Sequence, residues 1–365
     1  MMTRPACIGI GLAHCRRLAL LAWWAGAAFA ADAGKLTVTW LDTPVHGLAV
    51  VVETPAGKVF LIDTGGTRAA KTGGEPAYDS GRDAISPFLK ARGFTEIVGI
   101  TVSHPHGDHY GGAPWLLENW KVRSFVDNGY TGRGQTEGYL KIRTTAQQTV
   151  GVYPLNEAAA AKSAELRATA QKQGGNYHAV VAGDVLDWDP SLTVEVLSPP
   201  AEFLGTTADP KKISEHGLLN QNSIVLRVQH GKNVFLFPGD CYGGGFEGHL
   251  KATVTPERLK TTVLTAPHHG FNPGTNFPKW TQAQIVVASC LADYPGNANT
   301  PNPRSPGTRA HRVFGALGAK VYVTAWHGNV QVVSDGETVK ATSQRESEPR
   351  PEPNDALPAP APAKK

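Results

Sequence analysis

Directly after Ser103 the chain reads His104-Pro105-His106-Gly107-Asp108-His109, three imidazoles and a carboxylate within six residues. A loop with this spacing can aim alternate side chains at two adjacent points, so His104 and His106 can serve one ion while Asp108 and His109 serve a neighbour. Imidazole combined with carboxylate favours zinc, with manganese or iron as alternatives. Gly107 permits a sharp bend, and Gly111-Gly112 let the following helix start close to the site. A lone histidine would carry little weight, but two further segments repeat the signal. Phe237-Pro238-Gly239-Asp240 ends an apolar run in a carboxylate, and Ala266-Pro267-His268-His269-Gly270 ends another in paired histidines. Inert strands thus deliver ligands to one edge of a sheet.

The elements that must hold these residues alternate between strand and helix. Residues 35–41, 48–54 and 58–63 read as strands, the last two joined by the turn Pro55-Ala56-Gly57. Residues 82–92 carry Ile85, Phe88 and Leu89 on one helical face and stop at Gly93. The short apolar strand 97–102 then feeds directly into His104, which places the chemistry at a strand end as in α/β proteins. Residues 115–120 read as a helix, 131–155 resist assignment, and 156–173 read as a surface helix inserted between Asn156 and Gly174-Gly175. The second half repeats the theme, with strands over 192–197, 223–229, 233–237, 262–266, 285–288, 320–325 and 330–334 and a helix over 311–317. Two packed sheets flanked by helices on each outer face accommodate this order.

The ends of the chain differ in character from its middle. Residues 1–30 combine Arg4, Arg16 and Arg17 with an apolar run over 18–29 and the small-residue site Ala28-Phe29-Ala30, the layout of a secretory signal. The run is shorter than a membrane span, so no membrane insertion is expected once it is cleaved. Of the 365 residues, 41% are apolar and 18% charged, enough for a large core and unlike a disordered chain. Lys+Arg number 35 against Asp+Glu 31; three of the basic residues and none of the acidic ones lie in the signal, leaving the mature chain at +1. That balance is too small for binding nucleic acid by charge alone, so nucleic acid is expected only as a substrate. Cys7 and Cys15 leave with the signal; Cys241 and Cys290 each follow a predicted strand end, and either a bridge or two buried thiols is compatible with them. Residues 341–365 are rich in Pro, Glu and Ala without periodicity, and read as a disordered tail.

Taken together, these segments resemble the metallo-β-lactamase superfamily, and within it the hydrolase domain of the ComEC-type DNA-uptake family. The carriers are Leu61-Ile62-Asp63-Thr64-Gly65-Gly66, the His104 to His109 cluster, Asn220-Gln221-Asn222-Ser223, Phe237 to Asp240, and Pro267 to Gly270. The resemblance implies an α/β fold of the αββα four-layer type, with a hydrolase domain over 31–340. It also implies His104 and His106 on a first metal, Asp108, His109 and His268 on a second, and Asp240 bridging them, with the choice between His268 and His269 as the ligand left open. Asp108, Asp240 and His269 would be the catalytic groups, His269 facing substrate or orienting a ligand, and Asp63 would support the loop by hydrogen bonds. Two departures stand out. The third first-metal histidine of many members is replaced by Ser198-Pro199-Pro200, for which His216 is the nearest candidate; and Thr43-Pro44-Val45-His46-Gly47 replaces a Gly-Gln-Gly-Asp stretch, leaving His46 either in the pocket or in a solvated loop.

The expected function follows from this site. Two divalent ions, zinc above all, would supply a metal-bound hydroxide that attacks phosphorus or a carbonyl carbon. In the superfamily a bridging carboxylate accompanies cleavage of phosphoesters, thioesters or lactones rather than β-lactams, so Asp240 favours a phosphoester or phosphodiester, in a small molecule or a polymer. A lactone or carboxylic ester hydrolase is the alternative enzyme. A metal-stabilised, non-catalytic module binding DNA or cell-wall polymer is the alternative of another class. Export predicts a periplasmic or secreted protein.

Overall fold

The computed structural model describes residues 34–70, 76–129, 177–200, 203–204, 214–291 and 305–345. The expected signal over 1–30, the inserted helix over 156–173 and the tail beyond Arg345 lie outside the described residues.

Strands Leu36–Trp40, Ala49–Glu53 and Val59–Thr64 are buried at every position, as expected where a sheet is covered on both faces. They belong to an eight-stranded mixed sheet in the order 177–179, 125–127, 99–101, 59–64, 49–53, 36–40, 330–334, 339–343. A second sheet of seven strands runs 185–186, 192–198, 225–230, 233–237, 263–265, 285–288, 320–323. Because successive side chains point to opposite faces, each strand divides its apolar residues between two layers. Val50, Val52, Phe60 and Ile62 point inward and meet Val194, Leu226, Phe235 and Phe237 of the other sheet. Val51, Val59 and Leu61 point outward onto Ile85, Leu89, Leu116 and Leu117 of the helices at 81–91 and 113–119. On the far side Leu236, Leu264 and Val286 pack on Phe246, Phe277 and Phe314. The four layers are therefore helix, sheet, sheet, helix, the αββα sandwich. Trp40 pins the sheets together, its indole N–H donating to the Thr265 hydroxyl at 2.9 Å.

Several element limits differ from the sequence reading. The strand over 97–102 is interrupted at Val98, giving Glu96–Ile97 and Gly99–Thr101. The helix over 311–317 starts earlier, at Pro306, because the Ser305 hydroxyl caps the amide of Thr308. The strand over 320–325 ends at Val323, where Thr324–His327 coils into a helical turn. Residues 215–221 form a helix that single-sequence composition did not mark, and the strand expected from Ser223 begins at Val225.

The domain limit at 340 also moves. Val339–Ser343 is an edge strand paired antiparallel with Val330–Ser334, its Val339 and Ala341 packed on the inter-sheet core. Arg345 then binds the Asp42 carboxylate at 2.8 Å, and the same guanidinium donates to the carbonyls of Thr324 and Ala325. The alternation over these five residues is too short to stand out beside the Pro-rich segment that follows. Cys241 and Cys290 are buried free thiols. They follow strands separated by a third, 263–265. Among the described residues no helix is long and apolar enough to cross a membrane.

One buried carboxylate ties the hairpin turn of the first sheet to the second. Asp189 accepts hydrogen bonds from the Ala56 amide at 2.8 Å, the Ser191 amide at 2.9 Å and the Ser191 hydroxyl at 2.6 Å. Burial opposes its ionisation, but the Ser191 and Ala56 donors outweigh burial and hold its pKa at about 2. An acid with a depressed folded pKa stabilises the fold above its ordinary value and loses that contribution as pH falls through the folded one. Asp189→Ala is expected to lower stability by about 2 kcal/mol at pH 7, and the deficit to shrink as pH is lowered from about 4 towards 2. Denaturant unfolding across that pH series checks this; a deficit that does not change with pH contradicts it.

Candidate metal centre

The parallel strands of both sheets end at the same edge, and their loops carry the polar groups. Strand Val59–Thr64 delivers Asp63, Gly99–Thr101 leads to the His104 cluster, Asn233–Phe237 leads to Asp240, and Val263–Thr265 leads to His268 and His269. Backbone hydrogen bonds lock these loops to one another. Ile224 N–H donates to Ser103 O at 2.8 Å, Asp240 N–H to the Ser223 hydroxyl at 3.2 Å, and His268 N–H to Gly239 O at 3.1 Å. Gly239 has φ 54°, and a Cβ there would press on Ser103 and Ser223 at 2.9 and 3.1 Å. Only glycine allows the loops to approach this closely.

Asp63 sets the orientation of the first imidazoles. Its carboxylate accepts from the Ser103 amide at 2.7 Å, the Ser103 hydroxyl at 2.8 Å and His109 Nδ1 at 2.7 Å. Because the Ser103 hydroxyl spends its proton on Asp63, its oxygen can only accept from His104 Nδ1, 3.0 Å away. In their neutral forms His104 and His109 would thereby present Nε2 lone pairs inward, the arrangement that a neighbouring carboxylate imposes on metal-binding histidines. His269 is fixed in the same way by donating from Nδ1 to the Ser289 carbonyl at 2.8 Å.

These lone pairs converge on Asp240, which is 2% exposed. Its Oδ1 lies 3.2 Å from His109 Nε2 and 3.5 Å from His269 Nε2, and its Oδ2 lies 3.6 Å from both His104 Nε2 and His268 Nε2. Asp108 Oδ2 completes one side at 3.3 Å from His269 Nε2 and 3.9 Å from His109 Nε2. His106 Nδ1 approaches His104 Nε2 to 2.8 Å, and His109 Nε2 approaches His269 Nε2 to 3.2 Å.

The residues fit divalent cations. Asp240 Oδ1 is buried without a well-formed hydrogen bond despite two imidazoles beside it, and acceptor atoms face one another in pairs. Protons or divalent cations between them reconcile that geometry, and the donor set of imidazoles and carboxylates suits zinc, manganese or iron. Two clusters of this kind occur among the described residues, His104 with His109 and Asp240, and His46 with Asp108 and His269.

The charges respond to the same crowding. Burial pushes the pKa of His104 well below the usual imidazole range, reinforced by His109, and burial with His216 holds His106 at about 4. Burial would also lower His109 and His269, but Asp240 beside both outweighs it and raises them. Asp108 and Asp240 move the other way. Burial would raise each, yet His109 and His269 keep both ionised.

Most of the residues read from sequence meet here, and the two rings of the histidine pair lie apart. His269, expected to face substrate, is the buried ring that meets Asp108 and His109, and both of its nitrogens are engaged. His268, expected beside Asp108, faces Asp240 Oδ2 instead and is partly open to solvent. Consecutive left-handed conformations, φ 50° at His268 and 58° at His269, turn the two rings to opposite sides of Asp240. His216 stacks on His106 with ring centroids 4.0 Å apart, but it is exposed and has no carboxylate oxygen within 4.0 Å among the described residues. His46 belongs to the pocket: its ring lies 4.2 Å from that of His269 and its Nε2 3.7 Å from Asp108 Oδ2. Asn220 and Tyr242, joined at 3.0 Å, border His268 and were not singled out as site residues; the Asn220-Gln221-Asn222-Ser223 segment was the available signal for the first, and nothing in one sequence marks the second.

An imidazole and carboxylate centre at the strand tips of an αββα sandwich defines a class of metal-dependent hydrolases. The family model described as Metallo-beta-lactamase superfamily matches residues 42–201 of the chain, in agreement with the fold and the arrangement of the site. The chain is similar to ComE operon protein 3 of Bacillus subtilis (strain 168), 26% identical over 238 residues, covering 63% of this chain and 25% of that protein. It is also similar to the uncharacterised protein YcaI of Escherichia coli (strain K12), 24% identical over 246 residues, covering 67% of this chain and 24% of that protein. The match thus spans about a quarter of the length of each relative. Among solved structures, CmlA, a diiron β-hydroxylase from Streptomyces venezuelae, aligns at 13% identity and a TM-score of 0.43 over 81% of this chain and 53% of that one.

Asp63→Asn should lower metal affinity by about 10 to 100-fold, because it disturbs the proton placement on both His104 and His109. Metal titration by calorimetry with and without the substitution checks this, and unchanged affinity contradicts it.

Proposed function

We propose that this protein is an exported, zinc-dependent hydrolase of phosphoesters or phosphodiesters. The observation that carries the reading is Asp240, one buried carboxylate with separate imidazole sets on its two oxygens. That is the arrangement of a bridging ligand. His104 and His106 would hold one ion on the Oδ2 side, and Asp108, His109 and His269 the other on the Oδ1 side. Divalent ions held there polarise a substrate oxygen and lower the pKa of water towards about 7.

The chain's own groups then divide the remaining work. Asp108 has a side chain 30% exposed against 3% for Asp240, so it is the carboxylate that can orient an attacking water while Asp240 stays inside. Burial, with the positive charge of His269 adding to it, holds the pKa of His46 at about 3, so at neutral pH His46 offers a neutral ring at the pocket wall. The rings of Phe271 and Tyr242 flank His268 on the open side, at 5.2 and 5.0 Å between centroids, and form an apolar rim where a leaving group would emerge. His269 is held by Ser289 and the carboxylates and positions the centre rather than the leaving oxygen. Export is supported by the basic, apolar and small-residue layout of residues 1–30. A phosphate-containing polymer, nucleic acid included, enters only as one form of the substrate.

The test is turnover by the zinc-loaded mature chain of four chromogenic substrates: a phosphate diester, a phosphate monoester, a lactone and a β-lactam. Phosphate ester hydrolysis is expected, falling roughly a hundredfold or more in Asp108→Ala, since even groups behind the ligands contribute 10 to 100-fold. Turnover of the lactone alone would establish the carboxylic ester alternative. Tight metal binding without turnover of any of them would establish a binding module.

A further inference from the structure

The slot from which many superfamily members present a third histidine to the first metal is filled here by Ser198-Pro199-Pro200. On the two-metal reading above, that leaves the ion on the Oδ2 side of Asp240 with His104, His106 and the bridge. A catalytic ion keeps a position for water and can expand to five-coordinate, so three protein donors leave room for one more.

We propose that His268 is that donor, so that the paired histidines divide between the two ions, His268 on the first and His269 on the second. Three observations point to it. His268 Nε2 and His104 Nε2 reach the same oxygen, Asp240 Oδ2, each at 3.6 Å, while His109 and His269 share Oδ1. The His268 amide donates to Gly239 O at 3.1 Å, which fastens this residue to the loop that carries Asp240. Left-handed backbone at both histidines, φ 50° and 58°, splays adjacent side chains to opposite sides of one carboxylate. Such conformations are costly for residues other than glycine and persist where the surroundings over-determine them. Asn272 Nδ2 lies 3.3 Å from His268 Nδ1, and Asn220 Nδ2 lies 3.4 Å from Nε2, a contact that an ion on Nε2 would displace.

The division would give each ion a matched set of protein donors, His104, His106, His268 and Asp240 Oδ2 on one side and Asp108, His109, His269 and Asp240 Oδ1 on the other, with a further position on each left for water. His216, the candidate from sequence spacing, lies exposed against the face of His106 and adds no donor at Asp240.

The experiment counts tightly bound zinc per chain after gel filtration in the wild type, His268→Gln and His216→Gln. Two equivalents are expected in the wild type and His216→Gln, and one in His268→Gln, with the second ion weakened by more than about 100-fold, beyond what outer groups contribute. Two equivalents at wild-type affinity in His268→Gln overturn the assignment while leaving the two-metal reading intact. Fewer than two in the wild type overturn that reading and this assignment with it. X-ray absorption of the zinc-loaded wild-type chain needs no variant to fold: five imidazoles shared by two ions support His268 as a ligand, and four overturn it.

Discussion

A carboxylate buried beneath four imidazoles is the constraint around which this molecule is built. Withdrawing an ionised group such as Asp240 from water costs several kcal/mol or more unless opposite charge compensates it. In the metal-free chain Asp240 draws the pKa values of His109 and His269 upward against the effect of burial, the direction that opposes its own isolation. Divalent cations answer the same need with more charge and without occupying the donors. The electrostatics of the fold and its affinity for metal are therefore one property.

Holding that centre together requires the sandwich to be rigid at one edge only. Strands buried on both faces fix the positions of Asp63, Ser103, Asp240 and His269, and the loops beyond them are short and hydrogen-bonded to one another. Left-handed non-glycine residues number four among the described ones, and Asp63, His268 and His269 account for three. Backbone strain collected around a site is a familiar accompaniment of function. Asp63 shows why the second layer matters: through one serine hydroxyl it decides which nitrogen of His104 faces inward, although the two side chains do not touch.

Much of this was legible in the sequence. Apolar runs ending in His104, Asp240 and His268-His269 announced strands that deliver ligands, and the order of strands and helices announced two covered sheets. What could not be read is the direction in which adjacent side chains point when the backbone leaves the common regions. The histidine pair looked like one ligand and one bystander because neither extended nor helical backbone, at one-residue spacing, suggests rings placed on two sides of the same carboxylate. His46 was ambiguous for a related reason: a loop residue 58 positions before His104 acquires meaning only when Gly47, Gly65 and Gly66 let the loops stack closely. The edge strand Val339–Ser343 was hidden by its brevity beside a Pro-rich segment.

Anomalous diffraction from a crystal of the zinc-loaded chain tests the central claim most directly. Two peaks about 3.5 to 4 Å apart, on either side of the Asp240 carboxylate, are predicted. A single peak away from Asp240, or none within reach of His104 and His109, would contradict the account.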